Sequence, residues 1–231
     1  MNGKTVRIAV LAAACGLLSG WAQATQPAAA QVHTYRVELD AGGGLRALQP
    51  LSGQDRAETD RIAQELRHWL FEPAREDGRP VASESYVRVL ARPGAAGAPP
   101  QILQATAGPA PAHLTLPELP ADVRRQGKRG VVVLRLQTDA EGRVADVAVD
   151  QVQGDVTRAM ARAALAAAQQ WRFLPERVAG RAVAGEVLLP VCFQASQARE
   201  DCQWTGPNAR AYGSDTVLAL DPQVRLRIAG R

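Results

Sequence analysis

The sequence predicts an α+β fold of two tandem units, each a small antiparallel sheet (ββαβ) with a helix packed on one face. Three observations predict it. The first is a repeat. Trp69-Leu70-Phe71-Glu72-Pro73 recurs as Trp171-Arg172-Phe173-Leu174-Pro175, and Gly78-Arg79-x-Val81 recurs as Gly180-Arg181-x-Val183, at an offset of 102 residues. Upstream, Arg36, Asp40, Ala41 and Gly43 match Arg135, Asp139, Ala140 and Gly142 at an offset of 99, so one short indel reconciles the two. The second is periodicity, since alternating apolar runs give way to a helical stripe at the same place in both copies. The third is scarcity: aromatics are 4% of the chain, so a Trp and a Phe recurring in fixed order mark a shared structural duty.

The second unit, 113–195, reads element by element. Pro120 to Gln126 is a short helix. Val131 to Leu136 is a β-branched strand, and Asp139-Ala140-Glu141-Gly142 is a turn in which Gly142 is free to take positive φ. Val144, Val147 and Val149 continue as the return strand of a hairpin. Asp155 is the expected N-cap of a helix with Val156, Met160, Ala164, Ala167 and Trp171 on its buried stripe. Val187, Leu189, Val191 and Phe193 alternate as a last strand, and Pro190, lacking an N–H, confines that strand to an edge or itself to a bulge. The first unit, 33–92, repeats the order with Ile62, Leu66 and Trp69 as its helix stripe. Between them, 93–112 is a Pro/Ala/Gly-rich linker, expected to span semi-rigidly. The extension 196–231 has two further strand-like runs joined by Asp221-Pro222, a candidate cover for the last strand. Pairing of the two units' edges into one sheet is the other way to cover it.

These residues resemble a family. The elements are Leu119-Pro120-Ala121 with Arg124-Arg125 and Gly127, then Asp139-x-x-Gly142-x-Val144, then Ala163-Ala164-x-x-Ala167 leading to Trp171-x-Phe173-x-Pro175, Gly180 and Pro190-Val191-x-Phe193. Together they look like the C-terminal domain of the TonB energy transducers, and the first unit resembles a degenerate copy. The family has Tyr where Leu119 stands here. The resemblance implies a periplasmic module that captures an extended segment of an outer-membrane or envelope protein as an added strand, through an edge at Val187, Leu189, Val191, Phe193 and Gln194. It implies a link to energised transport across the envelope. The chain departs from the family's plan of anchor, long spacer and domain, so an envelope scaffold or accessory subunit with covered edges is the alternative. Trp69, Phe71, Pro73, Trp171, Phe173 and Pro175 read as core and helix-exit residues rather than a ligand cage.

Composition sets the remaining bounds. The net charge is +4 and falls when Lys4 and Arg7 are removed with a leader, so nucleic acid is not an expected partner. Lys4 and Arg7, the apolar stretch from Ile8 and Ala22-Gln23-Ala24 form the pattern of a cleaved signal peptide over 1–24, directing the chain to the periplasm. The alternatives are a lipoprotein acylated on Cys15 and an uncleaved anchor, either giving membrane association through the N-terminus; a spanning helix needs roughly 20 apolar residues. After export, Cys192 and Cys202 are the remaining pair, and a disulfide there would contribute about 2–3 kcal/mol. His33, His68 and His113 stand apart at no metal-ligand spacing, and no cofactor is expected. The chain lacks a nucleophile elbow, an H-E-x-x-H, a P-loop and an S-x-x-K, and Glu58 and Asp60 read as surface charges, so no enzyme is expected. The run Arg124-Arg125-x-x-Lys128-Arg129 reads as a solvated face, with an acidic lipid or receptor as its functional alternative.

Overall fold

The computed structural model describes residues 29–53, 55–94, 98–194 and 217–227. The expected leader, Cys15 and Cys202 lie outside the described residues.

In the first half, β1 (Gln31–Leu39) and β2 (Leu45–Ser52) form an antiparallel hairpin. Helix α1 (Arg56–Leu66) follows, capped by Asp55, whose carboxylate accepts the Ala57 and Glu58 amides. Strand β3 (Leu70–Glu72), the short hairpin β4 (Arg75–Glu76) and β5 (Arg79–Pro80), and β6 (Ser83–Arg92) complete it. Beyond β6 lie β7 (Gln101–Gly108) and β8 (Ala110–His113). In the second half, α2 (Ala121–Gln126) precedes the hairpin β9 (Gly130–Thr138) and β10 (Val144–Gly154). Helix α3 (Arg158–Ala168), β11 (Arg172–Leu174), the hairpin β12 (Arg177–Val178) and β13 (Arg181–Ala182), and β14 (Gly185–Phe193) follow. The tail adds β15 (Leu218–Ala219) and β16 (Arg225–Arg227).

Two larger antiparallel sheets result, beside three two-stranded ladders among the described residues. One runs β13-β12-β6-β1-β2 with β7 also on β6; the other runs β10-β9-β14-β15. The alternation that predicted the strands sends Tyr35, Val37, Val87 and Val89 into one core with Ile62 and Leu66. It sends Val132, Leu134, Val187, Val191 and Phe193 into the other, with Met160, Ala164 and Ala167 of α3. Trp171 and Phe173 are buried in that second core, as is Phe71 in the first, while Trp69 is half-buried.

The recurring turn glycine has a geometric cause. Asp139 accepts the Glu141 and Arg143 amides, which closes the β9–β10 turn. Gly142 sits at φ 75, and its carbonyl accepts the Phe173 amide at 2.8 Å, tying the turn to β11. A side chain on Gly142 would collide with the Phe173 carbonyl. Gly142→Ala is therefore expected to cost about 2–4 kcal/mol, combining positive φ with overpacking. The control is Gly180→Ala, at φ 78 with open space around it, which should cost about 1 kcal/mol. Urea melts of the two variants check the difference.

Four expectations are corrected. The stretch 93–112 does more than span: its Gln101-Ile-Leu-Gln-Ala-Thr-Ala-Gly portion forms β7 on β6, and β8 pairs with β11. Pro and Ala at its ends leave an alternating segment between them that suits a strand. Helix α3 is capped by Thr157, which accepts from the Met160 amide, not by Asp155. Glu58 is not a surface charge but is buried beside His33. The two units' last strands do not pair with each other; the β12–β13 hairpin of the second half joins the first sheet instead.

The connecting segments cross reciprocally. After pairing β6 through β7, the chain passes Pro109 and pairs β11 through β8. After pairing β14 through β15, the tail passes Pro222 and pairs β3 through β16. Each half is thus completed by a strand from a segment that first pairs the other.

Candidate functional site

β14 is the strand that carries the edge residues expected from the sequence. It pairs with β9 from Gly185 to Phe193 without a register break. On its other side, β15 pairs only with Val187 and Leu188, and the Glu186 carbonyl accepts the Leu220 amide at 2.9 Å. Backbone groups of a strand alternate in direction, so Leu188 and Pro190 face outward as Glu186 does. The missing N–H of Pro190 therefore falls on the outer side and costs nothing in the β9 ladder. No strand among the described residues pairs with β14 beyond Leu188 on that side.

Beside this stretch lies an apolar groove of about 230 Å³. Leu114 to Pro117 form one wall, Leu189 to Cys192 the other, and Trp171 the floor. The Trp171 indole N–H donates to the Thr115 carbonyl at 2.8 Å, which holds that wall in place. Leu116 is 93% exposed at its lip. Of the residues assigned to the edge from sequence, Val187, Leu189, Val191 and Phe193 turn their side chains into the core. Only Leu189 and Val191 also line the groove, and Gln194, just past the strand, is half-buried.

The other edges differ. β6 is paired along its outer side by β12 at Ser83 and Glu84 and by β7 from Tyr86 to Arg92. β10 and β2 have no further strand partner among the described residues, but each ladder carries two register breaks. Such irregularities are the usual protection of an edge against unwanted pairing.

Two polar clusters escaped the sequence reading. Glu176, 2% exposed, follows Pro175. Its carboxylate accepts the Ser85 hydroxyl at 2.6 Å and the backbone amides of Gln223 at 2.9 Å and Val224 at 3.3 Å. It joins β6, the β11–β12 loop and the tail. Burial pushes its pKa above the ordinary carboxylate value, against the three hydrogen bonds. In the first half, His33 Nδ1 lies 3.1 Å from Thr59 Oγ1 and its Nε2 lies 3.9 Å from Glu58. This order of hydroxyl, imidazole and carboxylate is not a nucleophile site. The Thr59 hydroxyl donates to the Asp55 carbonyl at 2.7 Å, and Gly53 closes over it. Burial lowers the His33 pKa despite Glu58 and Asp55 nearby. Among the described residues there is no group of three potential metal ligands and no helix long and apolar enough to cross a membrane.

Comparison with known proteins bears on the second half. Residues 115–195 match the family described as Gram-negative bacterial TonB protein C-terminal. Over 81 residues the chain is 36% identical to Protein TonB from two strains of Xanthomonas campestris pv. campestris, covering 35% of this chain and 35% of the relative. Over 82 residues it is 33% identical to Protein tonB2 of Pseudomonas aeruginosa, covering 36% of this chain and 30% of the relative. The chain spans about a third of the length of the curated relatives it matches. β14, the Trp171-x-Phe173-x-Pro175 element and every groove residue but Leu114 fall inside the matched segment, and residues 115–195 are a domain of the TonB C-terminal family.

Proposed function

We propose that this domain captures an extended segment of an outer-membrane or envelope protein as a strand beside β14, in the periplasm, in service of energised transport. The observation that carries the proposal is the stretch from Leu189 to Phe193. It is regular, it lies beyond the reach of β15, and an apolar groove runs along it. An incoming strand would gain backbone hydrogen bonds there, including one from its own N–H to the Pro190 carbonyl, and would seat a side chain over Trp171. The relatives, named as TonB proteins, support a partner in the envelope.

The first half is read as a degenerate copy of the same domain. Its order of elements from β1 to β6 parallels that from β9 to β14. The recurring Arg36 pairs with Glu84 at 3.0 Å, as Arg135 pairs with Glu186 at 3.1 Å. With β6 covered by β7 and β12, this copy has a structural duty: it supports the binding half and captures nothing. The proposal includes export by the leader 1–24 and a Cys192–Cys202 bridge, the latter supported by the bonded state of Cys192. A scaffold or accessory role is the second reading, favoured by one observation, the β15 pairing that already occupies Val187 and Leu188.

In-cell photo-crosslinking from Gln194, read by mass spectrometry, separates the two. Crosslinks to a segment of an envelope or outer-membrane protein are expected. Crosslinks confined to the chain's own tail or first half would sink strand capture and leave the scaffold.

A further inference from the structure

The two halves differ in kind at one buried place. Helices α1 and α3 and their caps, Asp55 and Thr157, lie 102 residues apart, and β1 matches β9 at an offset of 99. At these offsets Gln31, His33 and Glu58 stand where the second half has Gly130, Val132 and Met160. Val132 and Met160 are fully buried in the second core. His33 and Glu58 are 0% and 4% exposed. This position therefore accepts an apolar pair, yet the first half carries an imidazole and a carboxylate there. Burying both is unfavourable unless something compensates them.

The hydrogen bonds fix which way the imidazole faces. The Thr59 hydroxyl donates its one hydrogen to the Asp55 carbonyl at 2.7 Å, so at 3.1 Å it accepts from His33 Nδ1. In the neutral ring Nε2 then carries the lone pair, and it lies 3.9 Å from Glu58 Oε1. Neither that nitrogen nor either Glu58 carboxylate oxygen has a hydrogen-bond partner among the described residues, and the same holds for the buried Oε1 of Gln31. Three acceptors thus meet between β1 and the first turn of α1 without a donor. Gln31, two residues before His33, carries the fourth on the same face of β1. The 3.9 Å separation is too long for a hydrogen bond. It is close to the span of two bonds of about 2.0–2.2 Å to one zinc ion. A hydrogen bond on the far ring nitrogen is also what fixes the tautomer of a metal-bound histidine.

We propose that His33 Nε2, the Glu58 carboxylate and Gln31 Oε1 bind a divalent first-row transition ion that ties β1 to the first turn of α1. An imidazole with carboxylate and amide oxygens, and no sulfur, suits such an ion. Its positive charge compensates acceptors that otherwise only face one another. The role is structural, since the ligands are buried and close a core. It lies outside the binding half and stands independently of strand capture.

The test uses the full chain, unfolded in EDTA to strip it and refolded with or without zinc. After desalting, inductively coupled plasma mass spectrometry should find about one zinc per chain in the zinc-refolded wild type, and its melting midpoint should lie about 5–10 °C above that of the metal-free chain. His33→Val/Glu58→Met installs the second half's pair, so it should fold, retain no zinc and melt alike in both preparations. Glu58→Gln, which keeps the side chain's shape, should also lose the zinc. Zinc retained equally by wild type and both variants, or by none of them, overturns the proposal. A wild type that retains no zinc, but whose midpoint moves with pH relative to the Val/Met variant, assigns the gap to a shared proton and also overturns it.

Discussion

Trp171→Ala is expected to remove about 3–5 kcal/mol of stability, the range for truncating a large buried aromatic. Trp171 is 2% exposed and sits among Ala164, Ala167, Phe173 and Leu189 in the second core. Its indole also supplies the donor that fixes the Thr115 carbonyl, so the wall from Leu114 to Pro117 should loosen with it. Trp171→Phe separates the two effects. It keeps most of the apolar volume but leaves the carbonyl without its partner, at about 1–2 kcal/mol. Denaturant melts give the stabilities, and hydrogen exchange over 114–117 reports the wall. A Phe variant that stays folded yet loses the crosslink from Gln194 would place Trp171 in the binding groove as well as the core. One that keeps the crosslink would confine it to packing. Trp69, half-buried in the corresponding place, should tolerate alanine better.

The parts legible in the sequence are those with local causes. The hairpin turns announce themselves because Asp40 and Asp139 close them with their own carboxylates. The helix stripes through Ile62 and Leu66, and through Met160, Ala164 and Ala167, follow from helical spacing alone. Pro190 restricted its strand to an edge or itself to a bulge, and β14 lies between β9 and β15 with Pro190 past the two residues that β15 pairs. What stayed hidden depends on distant chain. β7 is a good alternating segment bracketed by Pro and Gly, and only its pairing with β6 shows that it is a strand. Glu58 carries the signature of an exposed helical charge, and its burial depends on His33, on a different element. Asp155 is as good a cap by type as Thr157, and the choice depends on where the helix begins. The groove was missed because its Leu114 to Pro117 wall reads as a polar-flanked connector. Its place is set by the Trp171 indole, far along the chain.

Glu176 is the extreme case, and it carries the second large effect. Glu176→Ala is expected to cost about 3 kcal/mol, since it strips the acceptor from the Ser85 hydroxyl and from two tail amides, and each buried unpaired donor costs about 1–3 kcal/mol. Because Gln223 and Val224 lie between β15 and β16, the loss should spread along the tail. Hydrogen exchange should rise at Leu220 and Val224 before the cores open. Glu176→Gln keeps one acceptor and should fall between wild type and alanine. The pH dependence has a definite sign. The folded-state pKa is raised by burial, so the folded chain binds this proton more tightly than the unfolded chain does. The group's stabilising contribution is full below the ordinary glutamate value of 4.5 and is lost as pH rises through the raised folded value. Wild type should therefore gain on Glu176→Gln as the pH is lowered across that window. Paired urea melts along a pH series measure it, and a gap that widens in favour of wild type with rising pH would mean that the three hydrogen bonds outweigh burial. In either case the same carboxylate bears on the proposed strand capture, because what holds Gln223 and Val224 also holds β15 beside Val187 and Leu188.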